Sequence, residues 1–454
     1  MVIADRVDEI LDRALAASTA EATEALYMGQ DSALTRFANN QIHQNVREHD
    51  GSLQVRVIDA DRIGVASTNR LDDAGIREVV ERAIAIVGRS APNPRAAIMP
   101  EPDGRQHDPD LGFVTATAEA GADLRAEGVR AVIAAGEAKR LETSGSFSTA
   151  VSTVAVANTH GVRARHRGTS AALLTVMMDG FGSGAASGYA HAGATDVGEI
   201  DAAEIGRTAA EKGDAMRGAG PLDPGEYEVI LEEHAVAGLL EYLAFIGFSA
   251  LAYEEGRSFM ELGKRTMAES VSIWDEGADP TGIPSAIDFE GLARQRVNLI
   301  DQGVATAVVH DAATGRRAGT GSTGHGLPAP NLSGPTPMNL FMAAGSTPRD
   351  DLIAGIERGI WVTRFHYINV VHPKKAILTG MTKDGTFLIE NGRISRPVMN
   401  FRFTQSVPEA FSDVRAIGAS TSLLPGEFFG ACRVPAVHLG SFNFTGVTAA
   451  ESGE

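Results

Sequence analysis

The amino-acid sequence predicts an α+β protein, in which a mixed α/β N-terminal domain precedes a mainly antiparallel β C-terminal domain. Apolar residues recur at helical spacing mainly in the first half of the chain. Short β-rich segments separated by glycine turns dominate after residue 270. Glycine supplies 50 of the 454 residues. That share exceeds the usual value of roughly 7% and is typical of a chain with many turns and strands.

Two periodicities predict the N-terminal elements. Apolar residues three and four positions apart predict helices, and alternation of apolar with polar residues, as in residues 53–57, predicts half-buried strands. Residues 90–112 lack a period and are rich in proline, glycine and aspartate, so they are expected to connect elements across the surface. The predicted helices cover 3–15, 72–87, 116–139 and 202–217, and the predicted strands cover 52–59, 63–68, 144–158, 170–178 and 184–192.

The clearest linker is the segment GAGPLDPG at 218–225, which holds two prolines and three glycines. We therefore place a domain boundary near 218–224. The N-terminal domain would span 1–217, with a central region beginning near 113, and the C-terminal domain 225–454. Beyond the linker, the pattern predicts helices over 232–250 and 350–358 and strands over 226–231, 305–309, 360–364, 376–380 and 386–390.

Charge and composition exclude several classes of function. Lysine and arginine number 40 and aspartate and glutamate 58, which gives a net charge of −18. So acidic a surface repels phosphate backbones, and we expect no nucleic-acid partner. The N-terminal residues are acidic where a signal peptide would be apolar, and the longest apolar stretch, 242–253, is too short to cross a bilayer. The sequence therefore predicts a cytoplasmic protein without a membrane partner.

No two of the 12 histidines have the spacing in sequence that is typical of two ligands of one metal ion. A zinc hydrolase usually carries two histidines one helical turn apart with a glutamate beside them, and no such pair occurs. His366 and His372 share a face of a predicted strand, but about 20 Å would separate them. His234 and Glu241 lie two helical turns apart, too far for one mononuclear site. Structural roles are the favoured interpretation of both pairs.

Nucleophile and phosphate motifs are equally weak. Cys432 lies in GACRVP, without a neighbouring histidine of obvious role, and a buried structural cysteine is the favoured interpretation. The glycine-rich run 314–326 lacks the phosphate-loop pattern, so a mobile glycine loop is favoured there. The alternative is a substrate-facing loop that carries Arg316, Arg317 and His325.

The order of these segments resembles the TldD/TldE family, also called PmbA or "modulator of DNA gyrase". The resemblance covers most of the chain, and the segment LTGMTKDGTFLIENG at 378–392 is its most specific part. The remaining segments are LTRFANNQIHQN at 34–45, VRV at 55–57, RIGVASTN at 62–69, EVIL at 228–231, LIDQGV at 299–304, GSTG at 321–324, and Asn339-Leu with Gly345.

The resemblance implies where a metal site would lie. In the TldD-type subunit, a metalloprotease, one helix carries His-Glu, three residues and a second His, and a later cysteine completes the zinc site. In this sequence Glu241 stands at the first histidine, Tyr242 at the glutamate and Ile246 at the second histidine. Tyrosine cannot replace the general base and isoleucine cannot bind a metal. Cys432 lies only three residues before Pro435, closer than the family's cysteine would be, so that role is not transferred to it.

These departures resemble the TldE (PmbA) type, which lacks the metal. The resemblance implies a non-catalytic subunit that pairs with a TldD-type zinc metalloprotease, and a closed chamber that hydrolyses peptides or modified peptides. Zinc is then expected in the partner, and no cofactor in this chain. One alternative is an independent amide or peptide hydrolase acting on a small metabolite or peptide. A weaker alternative is a regulator of a DNA enzyme, which the acidic charge disfavours.

Overall fold

The computed structural model describes residues 6–180, 185–426 and 430–447. The predicted starts of the first helix, at residue 3, and of the strand at 184 lie outside these ranges. Before the linker the elements are α1 (Val7–Ala17), β1 (Ala22–Ala38), β2 (Gln41–Asp59), β3 (Arg62–Thr68), α2 (Asp73–Val87), α3 (Thr115–Ala118), α4 (Ala122–Ala138), β4 (Glu142–Asn158), β5 (Arg163–Met178), β6 (Ser187–Ala194) and α5 (Ala202–Ala215).

After the linker, strands predominate and the helices are short. The elements are β7 (Gly225–Leu231), α6 (Glu233–Ile246), α7 (Ala250–Glu254), β8 (Ile273–Asp275), β9 (Val297–Asp301), β10 (Val304–Ala305), α8 (Ala312–Ala318), β11 (Asn339–Met342), α9 (Arg349–Ala354), β12 (Arg358–His372), β13 (Ile377–Glu390), β14 (Arg393–Pro397), β15 (Phe401–Ser406), α10 (Val407–Ala410), β16 (Val414–Pro425) and β17 (Ala431–Val447). Among the described residues, no helix has the length and apolarity that a membrane crossing needs.

The N-terminal strands form one antiparallel sheet in the order β3-β2-β1-β4-β5-β6. Its helices pack on a single face. On β4, Phe147 lies in the core under α4 and α5, whereas Ala155 and Ala157 lie in the core under α1 and α2. All three are odd-numbered residues of a strand without a bulge against β5, so their side chains share a face.

The C-terminal strands form an eleven-stranded sheet that closes on itself in part. Strand β7 runs parallel to β12 and antiparallel to β17, and β13 and β15 complete the ring. Phenylalanines packed against one another support it: the ring centroids of Phe365 and Phe403 lie 4.4 Å apart, and those of Phe365 and Phe442 5.6 Å apart. Most pairings are antiparallel, so the predicted α+β class with a mainly antiparallel C-terminal part is confirmed.

Buried polar contacts join the two sheets. Ser187 Oγ lies 2.6 Å from Asp384 Oδ1. Lys212 Nζ lies 2.6 Å from Glu232 Oε2. These contacts run from β6 and α5 to β13 and the start of α6, so they set the position of α6 against the N-terminal sheet. A charge that loses its partner in such a place is costly, because water cannot replace it.

Several predicted elements differ in extent from the observed ones. The helix expected over 116–139 is two helices, since Gly121 begins α4 as its N-cap. The helix expected over 232–250 breaks at Gly247. The two strands expected over 376–380 and 386–390 are one strand, β13, bent by positive-φ residues at Asp384 and Gly385. The expected strand 305–309 contributes only its first residue, to β10.

The expectation of a glycine loop at the start of 314–326 is wrong, because residues 312–318 form α8. The Asp311 carboxylate accepts the Thr314 amide N–H, and the Thr314 hydroxyl donates to the Asp311 carboxylate. This capping pair begins the helix, and Gly319, with φ +71°, ends it in the left-handed conformation.

Gly64 allows close packing of α2 on β3, and we predict that Gly64→Ala destabilises the protein. A Cβ at Gly64 would lie 2.1 Å from the Ala83 carbonyl oxygen and 2.6 Å from the Val87 nitrogen. Such overpacking costs about 1–3 kcal/mol in the free energy of unfolding, measurable by urea titration. In the matched control, Gly355→Ala, nothing lies within 4 Å of the added Cβ. Equal stability of the two variants would contradict this account of the packing.

Candidate functional site

Helix α6 is the element on which the family's metal motif would lie. It follows β7 directly, and its buried stripe consists of Val236, Leu239, Leu240 and Leu243, all with 0% exposure. Apolar residues at this three-and-four spacing fix which side of the helix faces the C-terminal core. The rotation of α6 therefore decides where Glu241, Tyr242 and Ile246 point.

The three motif positions have different surroundings. Ile246 is 4% exposed and belongs to the main C-terminal core. The Tyr242 hydroxyl donates to the backbone carbonyl of Ile368 on β12. Glu241 alone reaches the cavities beside α6. No group of three or more His, Cys, Asp or Glu side chains suited to a metal ion is present within residues 6–180, 185–426 and 430–447.

A cavity of about 410 Å³ lies between β6, α6 and β12, and we call it the α6 cavity. It lies between the two sheets, so residues distant in sequence meet there. Each of these three elements contributes at least one polar side chain to its walls. The polar and aromatic lining residues are Tyr189, His191, His234, Glu241, Arg364, Phe365 and His366.

Two imidazoles of the α6 cavity stay neutral. The rings of His191 and His234 lie 6.4 Å apart, and the His234 Nε2 atom lies 3.3 Å from the His191 carbonyl oxygen. Burial lowers the pKa of His234 to about 3. Burial, and then the nearby Arg364 charge, lower the pKa of His191 to about 4. Near neutral pH both rings therefore offer uncharged donors and acceptors rather than positive charge.

Arg364 supplies the cation of the α6 cavity, but it is already paired. Its Nε lies 2.6 Å from Asp384 Oδ2, and its guanidinium carbon lies 4.3 Å from the centre of the Tyr189 ring. Asp384 also accepts from Ser187. The ion pair holds the guanidinium over the Tyr189 ring, at a distance typical of a cation–π contact.

Cys432 lies close to Glu241, on the side of that residue away from the α6 cavity. The sequence analysis did not predict this proximity. Both residues line a second cavity, of about 20 Å³, together with Phe245 and Met338. Burial raises the pKa of the Cys432 thiol, and the charges of Glu241 and Asp275 add to that effect. The thiol therefore stays protonated and is a poor nucleophile. The contact depends on β17 pairing with β11, which no local sequence pattern reveals.

The structure does not bring Arg316, Arg317 and His325 together. Arg316 is exposed on α8 and lines a separate cavity of about 420 Å³. Arg317 Nε lies 3.0 Å from Glu254 Oε2. His325 has no exposed surface: its Nε2 lies 2.8 Å from Asp275 Oδ1 and its Nδ1 2.9 Å from Thr323 Oγ1. In this conformation a substrate cannot reach His325.

Comparison with known proteins decides the family. Models of the PmbA/TldA metallopeptidases match residues 24–87 (domain 1), 116–217 (central domain) and 224–446 (C-terminal domain). The chain belongs to the PmbA/TldD metallopeptidase family. The resemblance stated from the sequence motifs is thereby confirmed.

Individual relatives agree with this assignment. The chain is 22% identical to the metalloprotease PmbA homologue of Haemophilus influenzae over 416 residues, which are 88% of each protein. It is 26% identical to a metalloprotease of Methanothermobacter thermautotrophicus over 296 residues, which span 62% of this chain and 63% of that relative. The crystal structure of TldE from Thermococcus kodakarensis has the same fold, with a TM-score of 0.86, 20% identity, and coverage of 97% of this chain and 100% of that one.

The neutral state of His234 predicts an acid-sensitive fold. His234 binds a proton near pH 6.5 in the unfolded chain but only near pH 3 in the folded chain. The contribution of neutral His234 to the free energy of unfolding is therefore fully present above about pH 6.5. It is lost progressively as the pH falls from there toward the pKa that His234 has in the folded chain. Glutamine retains a hydrogen-bond donor and does not titrate. We therefore predict that His234→Gln reduces the acid-induced loss in the free energy of unfolding by on the order of 1–2 kcal/mol near pH 5.

The measurement is urea unfolding at several pH values between about 4.5 and 7.5. His43→Gln is the matched control, because His43 is exposed on β2. If His234→Gln and His43→Gln shift the pH dependence equally, His234 does not control the acid sensitivity.

Proposed function

We propose that this chain is a non-catalytic, metal-free subunit of the TldE/PmbA type. It would pair in the cytoplasm with a TldD-type zinc metalloprotease and complete a closed chamber that hydrolyses peptides or modified peptides. Zinc would be supplied by the partner subunit. The observation that carries the proposal is the burial of Ile246 in the core, at the position where the family's second metal-binding histidine would lie.

The neighbouring positions support the same proposal. A tyrosine hydroxyl that donates to a backbone carbonyl, as Tyr242 does to Ile368, is not arranged to take a proton from water. Glu241 is thereby left as a single carboxylate of the motif, and one carboxylate does not make a closed zinc site. The buried, protonated thiol of Cys432 also disfavours the alternative of an independent hydrolase with a cysteine nucleophile.

The α6 cavity supports a substrate-facing role for this subunit. Neutral imidazoles and a paired guanidinium can hydrogen-bond an uncharged peptide backbone without attracting free ions. Exposed apolar residues lie nearby on β12: Tyr367 is 71% exposed and Val371 55% exposed. Such residues are typical of a surface that another subunit covers. We therefore propose that the C-terminal domain supplies most of the contact with the partner.

Reconstitution tests the proposal, with zinc content and peptide hydrolysis as the two measurements. We predict that the purified chain holds no stoichiometric zinc and cleaves no unstructured peptide. Activity should appear when a TldD-type subunit is added, and chelation of its zinc should abolish that activity. About one tightly held metal per chain would overturn the proposal. Hydrolysis by the chain alone, insensitive to chelators, would instead establish the independent hydrolase.

Arg316 and Arg317 remain candidate residues for binding a peptide carboxylate. Arg316 is the sharper test, because Arg317 already pairs with Glu254. We predict that Arg316→Ala raises the KM of the assembled complex by about threefold to tenfold while assembly is unchanged. Arg70→Ala, which removes an exposed arginine paired with Glu78, is the matched control. An unchanged KM would show that Arg316 is an ordinary surface residue.

A further inference from the structure

The helices of the N-terminal domain pack on one face of its sheet and leave a cavity at the middle of that face. Helices α1 and α2 cover one end of this face and α4 and α5 the other. Between them lies a cavity of about 460 Å³, which we call the sheet trough. Its size is that of a small-molecule site. It is separate from the α6 cavity, so an inference from it goes beyond the proposed function.

Two opposed glycines and a tyrosine form the floor of the sheet trough. Gly29 on β1 faces Gly51 on β2. A Cβ would lie 2.5 Å from the Tyr27 Oη atom at Gly29 and 2.9 Å from it at Gly51. The Tyr27 side chain therefore lies across both glycines. Tyr27 is 3% exposed and borders the trough, and its hydroxyl makes no hydrogen bond to another residue that the structure describes.

A second aromatic ring and an arginine form one wall. The guanidinium carbon of Arg167 lies 3.8 Å from the centre of the Phe113 ring. Arg167 Nε lies 3.0 Å from Asp110 Oδ1. Its two terminal nitrogens make no hydrogen bond to any residue that the structure describes. A flat aromatic surface and unused guanidinium donors thus occur side by side.

The charges on the opposite wall are balanced. Arg47 binds Asp31 through two contacts, Nε to Oδ1 at 3.0 Å and Nη2 to Oδ2 at 2.8 Å. Glu119, on the α3 side of the trough, is exposed and can accept an ammonium group. The trough therefore offers aromatic surface, donors for an anion and a separate carboxylate.

We infer that the sheet trough binds an aromatic ring that bears a carboxylate, as an aromatic amino acid or the C-terminal residue of a peptide does. The ring would lie in the trough against Phe113, above the floor that Tyr27 and the two glycines form. The carboxylate would take the terminal nitrogens of Arg167 in a bidentate geometry, which arginine favours. The Tyr27 hydroxyl would donate to the ligand and gain the partner that the protein does not provide.

Calorimetric titration of the full chain with L-phenylalanine, N-acetyl-L-phenylalanine and the peptide Ala-Ala-Phe tests this inference. We expect saturable binding of at least one of them. Phenethylamine, which lacks the carboxylate, and L-alanine, which lacks the ring, should bind about tenfold more weakly or worse. Binding of L-phenylalanine alone identifies a free amino acid as the ligand. Comparable binding of all three identifies a peptide C-terminus.

Variants locate the binding. Arg167→Ala and Phe113→Ala should each weaken it about tenfold, because each removes one half of the recognition surface. Arg70→Ala, which removes another exposed, paired arginine, should leave it unchanged. Unfolding midpoints show whether each variant is folded. The inference is overturned if no aromatic carboxylate binds at about 10 mM, or if Arg167→Ala and Phe113→Ala both bind like the unmodified chain.

Discussion

The buried carboxylate of Glu232 is the contact on which the arrangement of the α6 region depends. Its Oε2 lies 2.6 Å from Lys212 Nζ on α5, and its Oε1 accepts from the indole N–H of Trp361 and, at 3.1 Å, from the Thr363 hydroxyl. Burial alone would raise its pKa, but the charges of Lys212 and Arg349 and the hydrogen bonds from Lys212 and Trp361 lower it to about 2. One charged group thus joins the N-terminal helix α5, the start of α6 and strand β12.

This junction places α6 at the meeting point of the two sheets. From there the rotation of α6 follows from its apolar stripe, because Leu239, Leu240 and Leu243 must face the core. Ile246 continues that stripe, whereas Glu241 lies between two cavities. Helix α6 therefore contributes apolar packing to the core and a single carboxylate to the cavities beside it.

Local patterns were sufficient for much of the fold. Alternation over 53–57 predicted the strand that became the second half of β2, and the helix at 72–87 begins where the Asp72 side chain accepts the Gly75 amide. The prolines and glycines at 218–225 indicated the break between α5 and β7. The error at 312–318 also had a local signal: the Asp311 and Thr314 pair is a capping motif, which the surrounding glycines obscured.

The sequence by itself determined the class of fold and the family, and it predicted the replacement of the metal motif by Glu241, Tyr242 and Ile246. These depend on periodicity and on residue identity at short spacing, which are local properties. Only the tertiary structure decided which distant residues meet. It buried His325 against Asp275, placed Cys432 beside Glu241, and opposed Gly29 to Gly51 in the sheet trough. The first two contacts depend on how segments far apart in the chain pack together, and a one-residue change in the β1–β2 register would separate Gly29 from Gly51.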